Sequence, residues 1–234
     1  MKTRPRRTVA ALVACLGLLG IFAVAVTAAR APDDKALAQG LRSGGFVIVV
    51  RHGPTFADIE DSDLLNLDSN AAQLNLNDEG ETLARAFGRA MHDVGIPVGR
   101  VFTSKYNGAY ETAVLAGLED VVKAPDLTDG GLVISPREYH RRAEGFRKML
   151  AIPPNAGTNT ILITHQRNLV AALGKDWQDV KQGEASIFRP ENGTYKLVAR
   201  VRIDEWPRIA KAPRQTPGPL AEIPQPPTPR PHRQ

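Results

Sequence analysis

Two short apolar runs constrain the fold more than any other feature of this chain. "FVIVV" at residues 46–50 and "TILIT" at 160–164 are rich in β-branched side chains and show no polar alternation. Each is too short for a stable helix, and as a strand each turns apolar side chains to both faces. A strand buried on both faces belongs in the middle of a sheet that helices cover above and below. The rest of the chain supplies those helices. Between 78 and 94 the apolar positions Leu83, Phe87, Met91 and Val94 recur at helical spacing behind Asn77, a good N-cap. "GIPVGRVFTS" breaks that helix and enters a strand at 101–103. Residues 109–117 read as helical, as do 136–150, with Ser135 as cap and Pro153 as stop, and a short helix at 167–173. "GEASIFRPENGTYKLVARVRI" closes the domain as two alternating runs joined at Asn192-Gly193, a strong hairpin signal. The predicted fold is therefore α/β: a three-layer α/β/α sandwich on a mostly parallel sheet, ending in a C-terminal β-hairpin. There is no internal repeat and no glycine-rich phosphate loop of either nucleotide type.

The two ends read differently from the middle. Lys2, Arg4, Arg6 and Arg7 precede an uncharged stretch from 9 to 29, so residues 1–34 read as a signal peptide or an uncleaved signal anchor. Val26 and Ala28, or Ala29 and Ala31, offer small residues to a signal peptidase. The single cysteine, Cys15, lies in this segment, which leaves the domain at 35–206 with no disulfide framework, thiol nucleophile or thiolate metal site. Residues 207–234 are basic and proline-rich and read as a disordered tail. The net charge of +5 belongs to the ends: four basic residues precede Val9, and the tail sets five against Glu222. The folded middle is net acidic, so the charge is no argument for a nucleic-acid partner.

Both central strands run straight into an imidazole, "VIVVRH" at His52 and "ILITH" at His165. Ligands of open α/β sheets bind beyond the carboxyl ends of the strands, so neighbouring strands bring both rings, and Arg51, to one crevice. His92 and His140 fall on helices in polar company, without metal-ligand spacing. Tyr106 and Tyr110 read as packing residues near the crevice mouth. Asp58, Glu60, Asp61 and Asp63 form an acidic run after the first histidine that reads as a solvated loop, with a bias of the pocket against highly charged substrates as the alternative.

Arg51-His52-Gly53, "LNDEG" opening a helix, "TSKYNGAYETA", "THQRN" and "GEASIFRP" occur in an order that resembles the histidine phosphatase superfamily, with its phosphoglycerate mutase-like fold. The likeness covers about residues 40–205, and the later segments look most like an exported bacterial branch that includes lipopolysaccharide core heptose phosphatases. The resemblance implies that His52 is a nucleophile forming a phosphohistidine, with Arg51 and His165 on the phosphoryl oxygens. It implies further phosphate contacts from Gly53, Ser104 and Arg167, a proton donor in Asp129 or Glu184, and no metal or organic cofactor. The implied partner is a small phosphorylated substrate such as a phospho-sugar or envelope glycan, with no nucleic acid. The implied location is the periplasm, or the inner membrane through an uncleaved N-terminal segment. One position departs from the pattern. Ser104, Glu111, Thr112 and Ala113 fall in register, but Gly108 stands where the family carries a second pocket arginine. The alternative expectation is thus a catalytically impaired phosphate or phospho-sugar binder, because glycine offers no bidentate contact.

Overall fold

The computed structural model describes residues 33–56, 75–129 and 134–213. The signal-like stretch up to residue 32, with its cleavage pairs and Cys15, lies outside the described residues, as do the acidic run at 58–63 and the tail from 214. The elements follow in the order α1 (Asp34–Ser43), β1 (Val47–Arg51), α2 (Asp78–Val94), β2 (Val98–Thr103), α3 (Asn107–Leu115), β3 (Val121–Lys123), α4 (Pro136–Ala151), β4 (Asn159–Thr164), α5 (Gln166–Leu173), β5 (Ala185–Glu191), β6 (Thr194–Val201) and α6 (Trp206–Ala210).

One six-stranded sheet runs in the order β3-β2-β4-β1-β5-β6. The ladders β3–β2, β2–β4 and β4–β1 are parallel, while β1–β5 and β5–β6 are antiparallel. The apolar runs that the sequence places at the centre are β1 and β4, side by side. Their alternation feeds two cores. Ile48, Val50, Ile161 and Ile163 face Phe87 of α2, Ala109 of α3 and Trp206 of α6. Val47, Val49 and Leu162 face Phe146 and Leu150 of α4 and Leu169 of α5. Fully burying one such large apolar side chain contributes roughly 1.5–3 kcal/mol, so both faces of the central strands hold the sandwich together.

The caps form as the sequence predicts. Asn77 accepts from the Gly80 amide at 2.9 Å and Ser135 from the Glu138 amide at 3.2 Å. At the hairpin, Asn192 and Gly193 take φ values of 49° and 77°, the pair of left-handed residues that matches the strand twist. Three elements were not legible in sequence: α1, the three-residue β3 and the five-residue α6. Helix α6 carries the folded chain past residue 206, where the sequence reading begins the tail. Trp206 and Ile209 are both buried, and Trp206 meets Phe87 edge-on at 6.2 Å. Arg42 of α1 then ties the ends together, donating to the carbonyls of Val94, Ala212 and Pro213.

Candidate active site

Three neighbouring parallel strands end almost level. Arg51 of β1 pairs with Thr164 of β4, and Thr103 of β2 pairs with Ile163. The next residue of each strand is His52, His165 and Ser104, so these three stand in a row at the carboxyl edge of the sheet. Lateral bonds hold them there: the His52 amide donates to Thr164 at 3.1 Å and the Ser104 amide to Ile163 at 2.9 Å.

His52 and His165 meet edge to face, with ring centroids 4.8 Å apart. Nδ1 of His52 lies 2.6 Å from the carbonyl oxygen of Gly53. A carbonyl only accepts, so Nδ1 carries the proton and Nε2 keeps its lone pair. Burial pushes the His52 imidazole down to about 4, and Arg51 adds to that push, against the Gly53 bond and Asp129. At neutral pH the ring is uncharged. His165 is held well below its ordinary value, first by burial, then by His52 and Arg51.

Nε2 of His165 sits 2.7 Å from the hydroxyl of Ser104, which also accepts the Tyr106 amide at 3.1 Å. Ser104 is fully buried. Its hydroxyl, expected from sequence to contact phosphate, is engaged with the second histidine and the Tyr106 amide. The Tyr106 ring meets His165 edge-on at 5.4 Å.

Arg51 emerges beside them. Its Nη1 donates to the carbonyl of Val180 at 2.6 Å, and its backbone is bracketed by Gly183 and Glu184. Burial lowers the Arg51 guanidinium while Glu184 acts the other way. Glu184 itself is almost fully buried. One carboxylate oxygen accepts the Lys181 amide at 3.0 Å and the other accepts Nε of Arg200. Both oxygens of Glu184, one of the two carboxylates considered from sequence as proton donor, are thus engaged in holding the 180–184 turn. Asp129 is the carboxylate whose charge reaches His52, and Arg167, at the first turn of α5, lies 4.0 Å from it with its side chain largely exposed.

Two of the segments that carry the sequence resemblance also meet through glycines. A Cβ on Gly53 would fall 2.7 Å from the Cα of Gly80, the "LNDEG" glycine. Gly53 thus has a packing reason to be glycine: the first turn of α2 sits on it. Gly108 is buried in the first turn of α3, its carbonyl accepting from Thr112 at 2.6 Å. Sequence reasoning missed two roles nearby. Glu111 accepts the Leu76 amide at 2.8 Å, and Asn107 donates to the Asn75 side chain at 2.8 Å, so α3 fastens the chain that leads into α2. The register of "YETA" marked Glu111, but nothing local revealed a partner 35 residues away. His92 and His140 are exposed on α2 and α4, and Tyr110 lies under the Lys123 ammonium at 4.5 Å. Among the described residues, no three His, Cys, Asp or Glu side chains are grouped to hold a metal ion.

Neither a family model nor a curated protein matches the chain. Solved structures do. The protein histidine phosphatase SixA complexed with tungstate is similar over 68% of this chain and 98% of its own, at 15% identity and a TM-score of 0.50. A phosphoserine phosphatase mutant from Entamoeba histolytica in complex with phosphoserine matches 66% of this chain and 95% of its own, at 11% identity and a TM-score of 0.47. Bacillus stearothermophilus YhfR matches 66% and 95%, at 15% identity and 0.48. The chain has an α/β fold with a six-stranded, mostly parallel central sheet flanked by helices, consistent with the phosphoglycerate mutase-like fold that the sequence resemblance implied.

Proposed function

We propose that this protein hydrolyses phosphomonoesters through a phosphohistidine on His52. The observation that carries the reading is the state of the His52 ring: neutral, its Nδ1–H bound to Gly53, its Nε2 lone pair available, and His165 and Arg51 beside it. Nε2 attacks phosphorus in line with the leaving oxygen. The negative charge spread over the phosphoryl oxygens is met by Arg51 and by the amides at the start of α5, which no side chain caps. Asp129, whose charge acts on His52, exchanges a proton with the leaving group or with the water that cleaves the N–P bond. No step of this scheme calls on a metal or an organic cofactor.

The N-terminal segment at 1–34 supports export, to the periplasm or to the inner membrane facing it. The likeness of "THQRN" and "GEASIFRP" to the exported branch supports a phospho-sugar or envelope glycan as substrate. A phosphorylated donor should leave acid-labile phosphate on the protein, and His52→Ala should abolish it. Robust turnover in that variant would end the proposal. Gly108 favours a second reading, a phosphate or phospho-sugar binder with impaired catalysis. That reading calls for measurable phosphate affinity without hydrolysis of an aryl phosphate, and rapid hydrolysis by the wild type removes it.

A further inference from the structure

A phosphomonoester dianion carries two charges into a partly dry crevice, and holding it there takes opposing fixed charge. This crevice presents little. His52 and His165 are both neutral at pH 7, and two imidazolium rings with centroids 4.8 Å apart would repel one another. The charges that act on the two rings come from Arg51 and Asp129. Arg167 faces Asp129 at 4.0 Å, and each offsets the other. Glu184 acts on Arg51 but is itself paired with Arg200. Gly108 contributes no charge. Among the described residues, the cation left to act on both rings without a carboxylate paired to it is the Arg51 guanidinium.

We infer that the site selects a phosphoryl group bearing one negative charge: a phosphodiester at neutral pH, or a phosphomonoester that has taken up a proton in acid. The inference rests on the phosphoryl-transfer reading above. Nε2 of His52 forms the N–P bond as the P–O bond to the leaving oxygen breaks, and that oxygen takes a proton. Water then cleaves the N–P bond and returns His52 to its neutral form. From a diester the product is a monoester, which ionises to a dianion that the site holds weakly, so the same charge balance favours release.

The test uses the full chain. Calorimetric titration with inorganic phosphate at about pH 5.5 and about pH 8.5 should give binding about tenfold weaker or more at the higher pH. Over the same interval, kcat/KM for 4-nitrophenyl phosphate should fall by about a hundredfold or more, because the ester loses its second proton at about pH 6 or below and little of it is then monoanionic. Sustained turnover of bis(4-nitrophenyl) phosphate at about pH 8.5 assigns the diester, and its absence alongside the falling monoester profile assigns the protonated monoester. Gly108→Arg should raise affinity for phosphate at the higher pH. Should that variant fail to fold, the wild-type comparison still decides. Phosphate bound as tightly or more tightly at about pH 8.5 overturns the inference. pH-dependent phosphate binding with no turnover of either ester, and no label on His52, would keep the inference and remove the phosphatase reading.

Discussion

Gly53 and Gly80 touch backbone to backbone. A Cβ on Gly53 would stand 2.7 Å from the Cα of Gly80, and one on Gly80 would stand 2.2 Å from the carbonyl oxygen of Pro54. Neither neighbour is a flexible side chain that can swing aside, so relief requires the first turn of α2 to lift off the strand end. Overpacking of this kind costs about 1–3 kcal/mol. Gly80→Ala should lower the thermal midpoint by several degrees. It should also reduce phosphate incorporation on His52, because the displaced segment carries the Gly53 carbonyl that orients the ring. A variant with unchanged stability would mean that the contact relaxes freely.

The His52 ring sets a pH limit with a defined sign. Its folded-state value of about 4 lies below that of an ordinary histidine, so the fold favours the neutral ring. The stability it contributes is complete above about pH 6.5 and is lost as the pH falls from there to about 4. Integrated over that interval the loss is about 3 kcal/mol. Urea unfolding between about pH 7 and pH 4 should therefore be less steep in His52→Gln than in the wild type. In NMR titration the His52 ring should remain neutral until near 4. A midpoint close to 6.5 would mean that the ring is far wetter than its surroundings indicate.

The legible parts of this protein are those whose signal is local. β1 and β4 announce themselves as apolar runs, α2 and α4 as helical periods behind the caps Asn77 and Ser135, and the hairpin as Asn192-Gly193. The pairing of His52 with His165 followed from a general rule about strand ends, and it needed β1 and β4 to be neighbours, as they are. Elements such as β3 and α6 are too short to show a period, and only packing on α2, through the Phe87–Trp206 contact, identifies α6 as part of the fold. The partners of Ser104 and Glu184 were hidden for another reason. Both are polar residues at positions that invite a catalytic reading, and both are buried with partners set by strand register. Glu184 finds Arg200 across the β5–β6 hairpin, and Ser104 finds His165 because β2 and β4 are adjacent.

Ser104→Ala leaves Nε2 of His165 without its partner in a buried setting and frees the Tyr106 amide. Losing one neutral hydrogen bond while stranding a buried group costs about 1–3 kcal/mol. On the proposed chemistry, kcat should fall about tenfold to a hundredfold, with KM changed less, since Ser104 acts through the imidazole. The nitrogen chemical shifts of His165 should report a changed tautomer balance. A variant with an unchanged His165 spectrum would show that the hydroxyl does not set the ring.

Glu184→Gln separates a staple from a proton donor. The amide oxygen can still accept from Lys181, but the charge that answers Arg200 is gone, leaving Arg200 with Asp179 at 2.9 Å. Breaking a buried pair from one side costs about 3–5 kcal/mol, and the retained acceptor and Asp179 should hold the loss to about 1–3 kcal/mol. The turn at 180–184 also carries the Val180 carbonyl that fixes Arg51, so its loosening should raise KM for a phosphorylated substrate. Because the effect passes through binding, it should be equal for esters with good and poor leaving groups. A general acid behaves otherwise: its loss slows an alkyl phosphate far more than an aryl phosphate, whose leaving oxygen needs no proton. Measuring both esters on Glu184→Gln, beside its urea midpoint, decides the matter. Full stability with selective loss of alkyl phosphate turnover would restore Glu184 as the acid.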